Sequence, residues 1–366
     1  MKQYSVLSVS AGYQEKRRSM YYVWHKGEWE QLVNVQALHH GLMVTGADGI
    51  GKREFCLALA KFLLCDNKEL KVSGGDCGRC QNCELFDAGT HPDFHLLTSE
   101  TENIQTRIPL VSAYSDRYQN VQARGKKTKP GKIIPIDQIR LLIERFSTQP
   151  HISQHKVVLV MPADAMNTNA SNALLKLLEE PPENSTLILM TSSPGFLPAT
   201  IRSRCMLVNL PTPRRESALE WLSQSMDEET ASLSLKLANE GPLDAKQFAD
   251  NGFLDTQGQY MNQVSNLVAS NITPLALAMD LSKSDLSIFL GWLHGFVCEV
   301  IVWRVSEIKP NRFDSSDLVW SSKSFSVERL YALYDKIIFY KSIVREPINA
   351  QLVTEDLILT LKSAIR

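Results

Sequence analysis

Short apolar runs alternate with helix-period patterns between residues 42 and 210. Leu42-Met43-Val44-Thr45 precedes a helical run from Lys52 to Leu64. Lys156 to Met161 is apolar after its lysine and does not alternate, the pattern of a strand buried on both faces. A helix from Ser171 to Glu180 follows and Pro181-Pro182 stops it. Thr186 to Thr191 and Cys205 to Leu210 predict two further buried strands. Asp137 is placed to cap a helix whose Ile139, Leu142, Ile143 and Phe146 share one face. Such alternation predicts a parallel sheet covered by helices on both sides.

Beyond about residue 212 the strand signals stop. Arg214 to Ser225, Glu228 to Asn239 and a segment after Gly241-Pro242 predict short helices. Longer helical patterns then cover Asp285 to Glu307, Val327 to Val344 and Leu352 to Ile365. Leu286 to Trp303 is apolar enough to imitate a membrane span, but His294 and Glu299 interrupt it. Both are costly at bilayer depth, so a buried helix of a bundle is expected. Three parts result: an α/β domain over 1–212, a small helical domain over 213–255, and a helical bundle over 256–366.

Composition narrows the class. Of 366 residues 44% are hydrophobic and 22% charged, which excludes a disordered or fibrous chain. Lys plus Arg number 39 against 40 for Asp plus Glu, so no whole-surface grip on nucleic acid is implied. Seven cysteines are too few for a disulfide scaffold, and the first twenty residues lack the apolar core of a signal peptide. A cytoplasmic protein is expected. Residues 100–135 fit neither pattern, and Ala123 to Lys132 packs five cations with two glycines and a proline. That stretch is either a solvated loop or a phosphate-contacting one.

Gly46-Ala-Asp-Gly-Ile-Gly51-Lys52-Arg53 matches the phosphate-binding loop G-x-x-x-x-G-K-[ST] everywhere but its last position. Its amides and helix N-terminus suit phosphate, yet Arg53 stands where a hydroxyl would hold Mg²⁺. The strand that should end in acids ends Val160-Met161-Pro162, with Asp164 beyond them. Hydrolysis in cis is therefore not expected. Whether the loop still binds nucleotide is left open by the sequence.

Cys77-x2-Cys80-x2-Cys83, with Cys65 upstream, offers the four thiolates of a closed structural zinc site in an insert over about 65–85. An iron–sulfur cluster and a redox dithiol are the rival readings; His91 and His95 are near enough to compete as fourth ligand, though loop or strand packing is the expected role of both.

Asn172-Ala-Leu-Leu-Lys-Leu-Leu-Glu-Glu-Pro-Pro182, Ser203-Arg204-Cys205 and Thr191-Ser192-Ser193-Pro194 together resemble the AAA+ subunits of bacterial clamp loaders. The last two look like that family's S-R-C motif and its sensor 1 segment, with Thr191 leading it. The four-cysteine insert is a further family trait, and Asn349-x-x-Leu352-x-x-Glu355-x-Leu357 is similar to a collar-domain terminus. Glu240-Gly-Pro-Leu-Asp-Ala-Lys246 stands where the sensor 2 arginine belongs and lacks it.

The resemblance implies an AAA+ α/β domain, a small helical lid and an all-α collar. It implies a non-hydrolysing subunit of the DNA polymerase III holoenzyme, a nucleotidyltransferase assembly. Its partners would be the ATPase (gamma/tau) and delta subunits in a five-subunit ring, which loads a sliding clamp on primed DNA. Arg204 would act in trans on a neighbour's ATP. Delta also fails to hydrolyse ATP, but it typically lacks the S-R-C arginine and the zinc module. The alternative is an active AAA+ ATPase whose loop tolerates Arg53. A zinc-dependent nucleic-acid enzyme is a third reading, weakened because four thiolates leave zinc no open position.

Overall fold

The computed structural model describes residues 21–34, 38–67, 75–106, 108–119, 130–250, 253–282, 286–306, 325–343 and 348–365. Residues 1–20 and residues 123–129 of the basic segment lie outside the described residues. The chain divides into two compact units, Met1–Ser217 and Ala218–Arg366.

The first unit is built on five parallel strands: β1 (Gly41–Thr45), β2 (Phe94–Leu97), β3 (Lys156–Val160), β4 (Ser185–Thr191) and β5 (Met206–Asn209). Their spatial order is β2-β3-β4-β1-β5. β1 lies between β4 and β5, with Gly41 opposite Leu187 and Leu42 opposite Met206. Parallel neighbours need crossovers, and the helices of those crossovers cover both faces. Leu42 and Val44 belong to one core, which includes Phe55 and Phe62, while Met43 between them points into the other. That two-sided burial is why β1, β3 and β4 read as unbroken apolar runs, whereas β5, expected to be buried like them, lies at the sheet edge and leaves Leu207 62% exposed.

The helices of this unit are α1 (Lys26–Val33), α2 (Lys52–Leu64), α3 (Gln81–Asp87), α4 (Glu100–Thr106), α5 (Pro109–Ser115), α6 (Ile136–Phe146), α7 (Thr168–Glu179) and the single turn α8 (Ala199–Arg202). α6 buries Ile139, Leu142 and Phe146, as its period requires. Asp137 does not cap it. Pro135 holds the cap position, and exposed Asp137 pairs with Arg140 at 3.3 Å instead. α7 starts three residues before Ser171, because Asn167 caps it by accepting the Ala170 amide at 2.8 Å. α4 and α5 occupy part of the region that showed no pattern in sequence.

Among the described residues of the second unit the elements are all helices. α9 (Arg215–Leu222) crosses into it, followed by α10 (Glu228–Leu237) and α11 (Pro242–Asp250), whose small core contains Leu222, Leu235 and Ala245. α12 (Phe253–Val268), α13 (Pro274–Leu281), α14 (Leu286–Ser306), α15 (Val327–Ile343) and α16 (Ala350–Ala364) share a separate core. The expected border near residue 255 falls inside α12. α14 is long and apolar enough to cross a membrane, but Phe289, Leu293, Phe296, Val297 and Val300 are wholly buried in the bundle core. Water-excluded packing among helices accounts for its hydropathy.

Candidate functional site

The turn from Gly46 to Gly51 joins β1 to α2. Gly51 has φ +96°, and a Cβ there would lie 2.4 Å from the Tyr22 ring. Only glycine meets both conditions. Lys52 is nearly buried, at 7% exposure. Its Nζ donates to the Gly46 carbonyl at 3.0 Å and to that of Ala47, and stands 3.4 Å from Asp48 Oδ1. Ser192, just after β4, donates its hydroxyl to the same Asp48 oxygen. Trp24 Nε1 and His25 Nε2 both donate to the Ile50 carbonyl, at 2.9 and 2.8 Å. Burial holds His25 below the usual histidine pKa.

Where a hydroxyl and acids would hold magnesium, those groups are replaced or engaged elsewhere. Arg53 turns outward, with Nε and Nη2 on Glu54 Oε1 at 3.2 and 3.1 Å and Nη1 on Thr106 Oγ1 at 3.2 Å. At the end of β3, Met161 is buried in the core, and Pro162 follows it. Asp164 lies in a 3-10 turn, Ala163–Ala165, and accepts the Thr191 hydroxyl at 2.6 Å. The amide of Ser193 donates to that hydroxyl at 3.0 Å. The sensor 1-like threonine and the acid nearest β3 therefore hold each other. Met161 and Pro162 put no carboxylate at the end of β3, where a pair would hold a cation. In the second unit, Lys246 of the sensor 2-like segment lies over the Trp221 ring, 5.6 Å from its centre.

Cys65, Cys77, Cys80 and Cys83 converge, all four sulfurs lying within 4.8 Å of one another. Cys77 to Cys83 and Cys65 to Cys80 are each 3.9 Å apart. A tetrahedral ion about 2.3 Å from each thiolate sets its sulfurs about 3.8 Å apart, so the donor set fits zinc. Burial alone would raise the Cys77 thiol. Hydrogen bonds from the Arg79 and Cys80 amides, and contacts with the Cys80 and Cys65 thiols, outweigh it and draw the pKa to about 7. Burial pushes Cys65 and Cys83 upward, and a bound cation would have to reverse that. Lys61 of α2 reaches Asp76 at 3.2 Å and Asp87 at 2.8 Å, and Asn82 donates to the Leu64 carbonyl at 3.1 Å. These contacts tie the insert to α2. His91 and His95 are not ligands. His91 Nε2 bonds Asn82 Oδ1 at 3.1 Å, and His95 Nδ1 is bonded to the Tyr118 hydroxyl.

Arg204 follows α8 and precedes β5. Its Nη2 lies 2.8 Å from Glu179 Oε1, and Nη1 donates to the Thr200 carbonyl at 3.0 Å. The guanidinium is held at the surface, its side chain 38% exposed. Ser203 is exposed, whereas Cys205 packs against the sheet core and burial lifts its thiol to about 11. The sequence reading named Arg204 but missed Glu179, its partner 25 positions upstream, and it missed Asp48 as the acid inside the phosphate loop. The signal for Asp48 was available: a carboxylate in a loop that normally surrounds an anion.

Residues 25–214 match the family described as "DNA polymerase III, delta subunit". DNA polymerase III subunit delta' of Pseudomonas aeruginosa is 31% identical over 288 residues, which cover 78% of each chain. The Escherichia coli subunit delta' is 33% identical over 227 residues, 61% of this chain and 59% of that one. The Haemophilus influenzae subunit delta' is 30% identical over 295 residues, 80% of this chain and 79% of its own.

Proposed function

The chain belongs to the family of DNA polymerase III delta-prime subunits, and from that premise we propose that it is the non-hydrolysing member of a clamp-loader ring. In this reading it joins ATPase (gamma/tau) and delta subunits in a five-subunit assembly in the cytoplasm. The assembly opens a sliding clamp and closes it on primed DNA. An AAA+ domain, a lid and a collar carry these contacts, and DNA is met through the complex. One structural zinc on Cys65, Cys77, Cys80 and Cys83 staples the insert, which is too short to fold around a core of its own.

The observation that carries the reading is the contrast between two places. Every group that would serve hydrolysis in cis is replaced or engaged elsewhere: Arg53 on Glu54, Met161 in the core, Asp164 on Thr191. Arg204, by contrast, stands at the surface with its planar fork oriented by Glu179 and Thr200. Phosphoryl transfer spreads charge over equatorial oxygens, and an arginine in trans accelerates it by about 10³–10⁵. Arg204 is assigned that task on a neighbour's ATP.

The test is reconstitution with the ATPase and delta subunits, the clamp and primed DNA. The half-exposed Arg204–Glu179 pair contributes about 0–1 kcal/mol to folding, so Arg204→Ala keeps stability and assembly. The same variant should lower DNA-dependent turnover at the neighbouring site by about a thousandfold or more. Arg204→Lys should recover little, since a point charge lacks the fork. Wild-type ATPase and loading rates from an Arg204→Ala ring would refute the assignment.

A further inference from the structure

We propose that the phosphate loop is occupied by its own residue: Asp48 stands in for a phosphate and latches the end of β1 to the end of β4. The inference concerns this chain alone and does not depend on its role in replication. A phosphate loop works by offering an anion a lysine, a row of amides and a helix N-terminus. Here Lys52 points back into the loop, onto Gly46, Ala47 and the Asp48 carboxylate, and little of it meets solvent. The second tie of Asp48 runs to Ser192, 144 positions later in sequence, on the loop that leaves β4. One carboxylate thus joins two strands that the sheet holds side by side.

Aromatic side chains cover the helix end of the same loop. Tyr22 packs on Gly51, Trp24 stacks on Tyr22 with ring centres 4.7 Å apart, and Trp24 and His25 converge on the Ile50 carbonyl. Arg53, the other nearby cation, is turned to Glu54 and Thr106. An exposed ion pair at 3.4 Å is weak by itself, and the Asp48 side chain is 77% exposed. Its strength lies in attachment. Asp48 is four residues from Lys52 in a fixed turn, so its effective concentration at the amine is in the millimolar range or above. A phosphate in free solution must displace it and then meet its charge.

Fluorescent mant-ADP and inorganic pyrophosphate, titrated into the full chain, test this. Wild type should show no saturable binding up to millimolar ligand. Asp48→Asn keeps the shape and the hydrogen bond to Ser192 but removes the charge, and should tighten mant-ADP binding about tenfold or more. Asp48→Ala should do at least as well, and adding Lys52→Met should abolish the gain. Amine-reactive labelling of Lys52, read by mass spectrometry, should rise in both Asp48 variants. Saturable wild-type binding that matches Asp48→Asn would overturn the proposal. A gain from Tyr22→Ala with none from either Asp48 variant would also overturn it, as would a gain that survives Lys52→Met.

Discussion

His95 converts the packing of β2 into a measurable pH dependence. The ring is 5% exposed, with its edge toward Phe146 and Tyr118. Nδ1 is bonded to the Tyr118 hydroxyl, while Nε2 is buried without a partner. Burial, then the charges of Lys156 and Arg117, push its pKa down from 6.5 to about 3, against a smaller opposing pull from Asp93. Above pH 6.5 the ring is neutral in folded and unfolded chains alike and contributes no pH dependence. Below pH 6.5 the unfolded chain takes a proton that the folded chain refuses, so stability falls until the pH reaches the folded pKa near 3. At pH 5 the loss is about 2 kcal/mol, from one and a half units at about 1.4 kcal/mol each. Urea unfolding of the full chain at pH 7.5, 6 and 5 should show it. His95→Gln keeps a hydrogen-bonding group for Tyr118 and cannot titrate. Its stability should be lower at pH 7.5 and should fall less by about 2 kcal/mol on going to pH 5. Parallel pH profiles for wild type and His95→Gln would refute the buried neutral ring.

Two further outcomes concern the metal and the nucleotide. Purified chain should carry one zinc, and Cys80→Ser should lose most of it and speed amide exchange over residues 75–87 without affecting the helical bundle; iron with visible charge-transfer bands would overturn the assignment. The isolated chain should show only background ATPase, and Arg53→Thr should not raise it, because Met161 and Pro162 still hold the places of the acids. Turnover that disappears with Lys52→Ala would count against that.

Local signals were legible in the sequence. The strands β1, β3 and β4, amphipathic α6, the phosphate loop and the four cysteines each depend on residues close together in the chain, and each lies about where it was expected; β5 lies there too, but exposed at the sheet edge rather than buried. β2 escaped notice because it is four residues long and has His95 in its middle. Asp137 was misread because a proline two positions earlier, not the acid, sets where α6 begins. Pairs across the fold left no trace in spacing. Asp164 with Thr191 and Asp48 with Ser192 meet where the parallel strands end, and Arg204 with Glu179 meet at the opposite end, ahead of β5 and β4, so the sheet sets all three.

The position of β1 also sets a clock on the ribosome. It is the first of the described strands to be made, yet its two neighbours are β4 and β5, and Gly41 pairs opposite Leu187. At about 5–20 residues per second, those 146 positions take roughly 7 to 30 s to translate. For that interval Leu42, Met43 and Val44 have no strand to pair with, although all three end in the core. β2 and β3 are adjacent in the sheet and can pair as soon as both are out, so the sheet starts at its far edge. The earliest strand then enters a slot between two later ones, and until it does, a nascent chain carries an unpaired apolar segment that a holdase can recognise.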